Sequence, residues 1–139
     1  MIGIDTNVLV RYFAQDDPLQ SPIASALLEG LSPERRGYVP IVALVELVWV
    51  MTRRFGVKRN GIAAIVQGIL ESRELVVESP ETVRKALQSY ATSTADFADC
   101  LIERTCHAAA CEWVATFDAA AARTPGFRLL AQGMADERA

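Results

Sequence analysis

Short apolar runs rich in β-branched residues alternate along this chain with stretches of helical periodicity, and that alternation constrains the fold more than any other feature. Runs near residues 2–4, 38–39, 75–77, 113–117 and 127–130 read as strands. Between them, Leu19, Ile23, Leu27 and Leu31 form an apolar stripe after the Asp17-Pro18 helix start. Ile62, Ile65, Val66, Ile69 and Leu70 repeat at i, i+3, i+4, i+7 and i+8, as do Val83, Ala86, Leu87, Tyr90 and Ala91 after Ser79-Pro80. A further helix is expected at 96–110. Strands alternating with helices predict an α/β fold with a mainly parallel sheet, because parallel strands need a crossover and a helix supplies it. The segment 41–55 is apolar almost all round, the pattern of a central buried helix. The polar tail from Gln132 is expected to fray.

No repeat or linker interrupts the pattern, so residues 1–139 are expected to form one domain. With 51% apolar and 22% charged residues the chain can build a core. Its longest apolar run, from Ile41 to Met51, is broken by Glu46 and is far shorter than the roughly 20 residues of a spanning helix. The start, Met-Ile-Gly-Ile-Asp, lacks the basic and apolar regions of a signal peptide, which points to a cytoplasmic protein. Cys100, Cys106 and Cys111 fall in one expected helix with no Cys-x-x-Cys and no paired histidine spacing, so neither a zinc site nor a disulfide framework is expected and they read as small buried apolar residues. His107, the sole histidine, has no matched nucleophile around it.

The chemistry lies in the carboxylates. Asp5 and Asp118 each follow an apolar strand pattern, and ligands of open parallel sheets bind beyond the carboxyl ends of strands; the same positions also suit a turn or capping aspartate. Glu46 has Val42, Ala43, Trp49 and Val50 at three and four positions along its helix. A carboxylate buried there requires a cation or hydrogen bonds, unless it reaches to the surface. Asp96 and Asp99 open a helix three residues apart with Glu103 on the same face, and first-turn aspartates complement a helix dipole whether or not they react. If the acids converge, their repulsion requires a hard cation. All-oxygen ligation suits Mg²⁺ or Mn²⁺, and such ions support hydrolysis of a phosphodiester by an activated water. A net charge of -3 confines any nucleic-acid contact to a local patch. The best candidate is Arg53-Arg54-Phe55-Gly56-Val57-Lys58-Arg59, which is equally a solvated helix end.

Four fragments occur in order: Ile4-Asp5-Thr6-Asn7-Val8-Leu9-Val10-Arg11, Val45-Glu46-Leu47-Val48-Trp49, Asp96-Phe97-Ala98-Asp99-Cys100-Leu101-Ile102 and Thr116-Phe117-Asp118. With them the chain resembles PIN-domain ribonucleases over nearly its whole length, and more narrowly the VapC-type toxins of bacterial toxin–antitoxin pairs. The resemblance implies a single domain with about five parallel strands sandwiched by helices. It implies a metal site of Asp5, Glu46, Asp99 and Asp118, with Asp96 as a helix cap or an outer ligand acting through water. Thr6, Asn7 and Thr116 would orient the carboxylates; independently of the resemblance, Arg11 with Arg53, Arg54, Lys58 and Arg59 are the candidate RNA-contacting cations. It further implies a homodimer, a cognate antitoxin, and transfer or ribosomal RNA as target. Ala119 stands where the family often has a basic residue, which bears on substrate contact beside Asp118.

Three other readings fit less well. A haloacid-type phosphatase needs a second aspartate where the chain has Asn7. A receiver needs a lysine at a late strand end, and the only lysines are Lys58 and Lys85. A PIN-like scaffold without activity would have no need of all four acids.

Overall fold

The computed structural model describes residues 1–131, so the tail from Gln132 lies outside the described residues. The chain divides into two compact units, Met1–Pro80 and Glu81–Ala139. The first contains β1 (Ile2–Gly3), α1 (Thr6–Ala14), α2 (Gln20–Glu29), β2 (Gly37–Val39), α3 (Ile41–Arg53), α4 (Arg59–Glu71) and β3 (Leu75–Val77). Its sheet has the order β1-β2-β3 with both pairings parallel, Gly3 beside Tyr38 and Tyr38 beside Val76. Helices connect these parallel strands, as the alternation requires. Ile4, Leu9, Val10, Val39, Leu44, Leu47, Ile62, Val66, Ile69 and Val77 are buried. Each such side chain contributes about 1.5–3 kcal/mol through removal from water.

Two local starts follow from side chains. Asp5 is the N-cap of α1, its Oδ1 accepting from the Thr6 amide at 2.7 Å. Asp17 Oδ1 accepts from the Leu19 and Gln20 amides at 2.9 and 2.7 Å, which opens α2 just after Pro18.

The structure corrects two expectations about burial. On α2 the stripe is turned outward at Leu19, Ile23 and Leu27, which are 77%, 71% and 37% exposed, while its last member, Leu31, is buried as expected, as are Ser21 and Ala24. Small side chains on that face let α2 approach its neighbour closely, which an i, i+4 row of leucines does not allow. On α3 the burial falls on Ala43, Leu44, Leu47, Val48 and Met51, whereas Val42 and Trp49 are 69% and 62% exposed. The helix therefore has an open face despite its composition.

The second unit holds α5 (Pro80–Ala91, entered at the unit boundary), α6 (Phe97–Ala108), β4 (Val114–Thr116), a 3-10 turn (Ala121–Arg123) and β5 (Phe127–Leu129). β4 and β5 pair in parallel, Val114 with Phe127 and Thr116 with Leu129. All five expected strands are present and all pair in parallel. They form a three-stranded and a two-stranded sheet among the described residues, where one sheet was expected. Strands of two or three residues carry few ladder bonds, and this limits how far pairing extends. The core is built from Val83, Ala86, Leu87, Tyr90, Phe97, Cys100, Leu101, Ala121 and Phe127, with Tyr90 and Phe97 edge to face at 5.8 Å.

Glu103 is buried, and its two oxygens accept from Arg104 Nε and Nη2 at 2.7 and 2.9 Å. This pairing withdraws Glu103 from Asp96 and Asp99 at the start of its helix. Directly over it lies Gly126, at φ +96, where an added Cβ would stand 2.7 Å from Glu103 Oε2. Gly126→Ala is accordingly expected to destabilise the protein by about 2 kcal/mol or more, combining left-handed strain with a clash against a buried ion pair. Urea unfolding checks this, and an unchanged midpoint would contradict the packing of Gly126 on Glu103.

Candidate functional site

The acids fall into two sets, one in each unit. In the first, Asp5 follows β1 by two residues and Glu46 lies midway along α3. Thr6 links them. Its amide donates to Asp5, and its hydroxyl donates to Glu46 Oε1 at 3.3 Å. Thr6 itself is buried, so this bridge is held by the core beneath it. Both carboxylates are exposed. That overturns the desolvation argument for Glu46: the residues around it on α3 include the open Val42 and Trp49, so no buried charge has to be neutralised. What singles out Glu46 is the hydroxyl of Thr6, forty residues away in sequence, and no local pattern could reveal it.

Asn7 is exposed and lines a surface groove with Val8, Arg11, Gln20 and Ile23, so Thr6 makes the carboxylate contact expected of both residues. Arg11 is engaged within the unit: Nε donates to Gln20 Oε1 at 2.8 Å and Nη1 meets Asp16 at 3.0 Å. Those partners compete with any phosphate. Arg53 and Arg54 close α3, with Arg54 5.4 Å from the centre of the Phe55 ring. Lys58 is the N-cap of α4 and Arg59 its first residue, with no acid in the first turn. Cations at a helix C-terminus suit the dipole, but at an N-terminus they oppose it. The dipole therefore accounts for Arg53 and Arg54 but not for Lys58 and Arg59.

In the second unit, Asp96, Asp99 and Asp118 are close enough to interact. Burial, and then the negative charges of Asp96 and Asp118, push the Asp99 carboxyl above the usual aspartate range. Asp96 occupies the N-cap position of α6, as expected, but its side chain makes no capping hydrogen bond. Asp118 uses one oxygen structurally: Oδ1 accepts from the Ala120 amide at 2.8 Å and starts the 3-10 turn. Thr116 Oγ1 accepts from the Asp118 amide at 3.0 Å, so it fixes the backbone of Asp118 and not its carboxylate.

Each set is all-oxygen, and the mutual repulsion at Asp99 is of the kind a hard cation relieves, so the donors fit Mg²⁺ or Mn²⁺. Among the described residues no three acidic, histidine or cysteine side chains are gathered into a group that could hold an ion.

Comparison with known proteins bears on the family. Residues 2–126 match the model of the PIN domain. A VapC ribonuclease of Aquifex aeolicus (strain VF5) is similar, at 26% identity over 98 residues, covering 70% of this chain and 73% of the relative.

Proposed function

The chain belongs to the PIN-domain family, and from that premise we propose that it is a Mg²⁺- or Mn²⁺-dependent endoribonuclease, the toxin of a toxin–antitoxin pair. The observation that carries the reading is the crowding of Asp99 by Asp96 and Asp118, a repulsion with no structural benefit of its own. Asp5, Glu46, Asp99 and Asp118 are assigned to the metal, with Asp96 as an outer ligand. When bound, the ion would supply Lewis acidity to the phosphodiester and the attacking water. The chain's own part is orientation. Thr6 aims Glu46, and the Thr6 amide holds one oxygen of Asp5 while leaving the other available. The turn at Ala120 does the same for Asp118.

RNA contact is assigned first to Lys58, the N-cap of α4, and then to Arg59, Arg53 and Arg54, with Arg11, already engaged by Gln20 and Asp16, last. Replacing Lys58 by Ala is expected to weaken RNA binding and to lower the slope of log affinity against log salt by about 0.7, the value for one phosphate contact on a single strand. An unaltered slope in a salt titration would remove Lys58 from the interface.

A cognate antitoxin and a second copy of the chain are the partners we assign to the exposed apolar residues Leu19, Ile23, Val42 and Trp49, since open apolar area of this kind marks interaction surfaces. Among the described residues no helix is long and apolar enough to cross a membrane, and we place the protein in the cytoplasm with its RNA, transfer or ribosomal. The family match runs across the boundary at Pro80, which supports reading residues 1–139 as one domain.

The test is direct. Protein freed of antitoxin should cleave RNA with Mg²⁺ or Mn²⁺ and stop in EDTA, while Asp5→Asn should fold and be inert. Equal cleavage by mutant and wild type would sink the catalytic assignment, and binding of RNA without cleavage would favour a scaffold.

A further inference from the structure

Helix α6 ends in a tight cap that brings two cysteines together. Ala110 is left-handed at φ 66, its amide donates to the His107 carbonyl, and the Cys111 amide donates to the Cys106 carbonyl, both at 3.0 Å. These are the paired bonds of a Schellman motif, in which the side chains at the positions of Cys106 and Cys111 meet over the helix end. With that amide–carbonyl bond in place, standard bond lengths bound the Cα separation at about 7 Å, the upper edge of the disulfide range. Cys111 is exposed and lies beyond the helix in which the sequence pattern placed it; Cys106 is half-buried and Cys100 is buried. Both Cys106 and Cys111 line a pocket of about 440 Å³ with His107 and Trp113, so small thiol reagents have access.

We propose that Cys106 and Cys111 form a reversible intramolecular disulfide when the protein meets a small disulfide oxidant such as oxidised glutathione. The exposed Cys111 thiolate attacks the oxidant, giving a mixed disulfide and one glutathione thiol. Cys106 then loses its proton and attacks the Cys111 sulfur, releasing the second glutathione. Two protein thiols lose two protons and two electrons, and the oxidant is reduced to two thiols. The order follows from the surroundings: burial, the neighbouring Cys111 and Glu103 all push the Cys106 thiol upward, so it is the poorer first nucleophile. Once Cys111 is in the mixed disulfide its charge is gone, and with it that part of the effect on Cys106. The bridge ties the end of α6, which carries Asp99, to the segment entering β4, which leads to Asp118.

The experiment treats the full chain with millimolar oxidised glutathione, then unfolds and alkylates it. Wild type should fall from three alkylatable thiols to one, lose ~2 Da, remain monomeric in covalent mass, and melt roughly 2–5 °C higher until reduced. Cys100→Ser should still bridge. Cys111→Ser should not, and Cys106→Ser should stop at a stable glutathione adduct on Cys111. Three free thiols in treated wild type, a bridge mapped to Cys100, or a covalent dimer would overturn the proposal. Circular dichroism of each variant shows that it is folded, so loss of the bridge cannot be taken for loss of structure.

Discussion

Asp99→Asn is expected to lower RNA cleavage by roughly 10²–10³-fold, on the scale of removing one group that stabilises charge in a reacting centre, while the metal-free protein becomes more stable. The two effects share one cause. The Asp99 carboxyl is pushed up by burial and by Asp96 and Asp118, so the folded state holds its proton more tightly than the unfolded chain does. Asp99 therefore favours folding below the unfolded aspartate range, and that advantage is lost as pH rises through the folded value. At neutral pH its ionised form is a net cost to the apoprotein. The amide removes that charge, and the metal-free melting temperature should rise by roughly 1–3 °C. Added Mn²⁺ should raise the wild type further by binding the native state, and should raise the mutant much less. Asp96→Asn, at an exposed position with no capping bond, should have the smaller effect on both readings. If Mn²⁺ shifts Asp99→Asn as far as wild type, Asp99 is not a ligand and Asp96 takes its place.

Thr6→Val is the second large expectation. Valine keeps the shape of the buried side chain and the backbone amide on Asp5, and deletes only the hydroxyl that donates to Glu46. Loss of a group that orients a ligand typically costs ~10–100-fold. The loss should appear in kcat, with KM for RNA and the unfolding midpoint little changed, and Thr6→Ser should recover most of it. A Thr6→Val protein with wild-type kcat would show that Glu46 does not depend on this contact.

Much of this was legible in the residues. The alternation of strand and helix patterns located all five strands and the main helices, because apolar periodicity follows directly from which side chains a strand or helix turns inward. Asp5 and Asp118 follow β1 and β4 by two residues each, as the strand pattern implied. Burial was less legible. Leu19 and Ile23 look like a core stripe and Trp49 like part of a buried helix, yet all three are open. Apolar character states that a surface gains from being covered, not whether the same chain covers it. For the same reason Glu46 is exposed among apolar neighbours, and what distinguishes it is the Thr6 hydroxyl forty residues away. The pairing of Cys106 with Cys111 was hidden by a helix that stops earlier than its apolar pattern suggests, at a left-handed alanine that no glycine announces.

The cations at the start of α4 have a consequence for how fast the partners meet. The chain carries a net charge of -3, so a polyanion approaching at random is mostly repelled. Lys58, at the N-cap of α4, adds its charge to the positive end of a helix and, with RNA as the substrate proposed above, would create a local attractive field on a repulsive body. Such a field selects orientation during the encounter, so collisions that arrive at this end persist while others separate. The association rate should then fall steeply as salt shortens the reach of the field, which is about 10 Å at 0.1 M. Discrimination between RNAs would in this way begin at the approach, set by which part of a folded RNA can present its phosphates to one helix end.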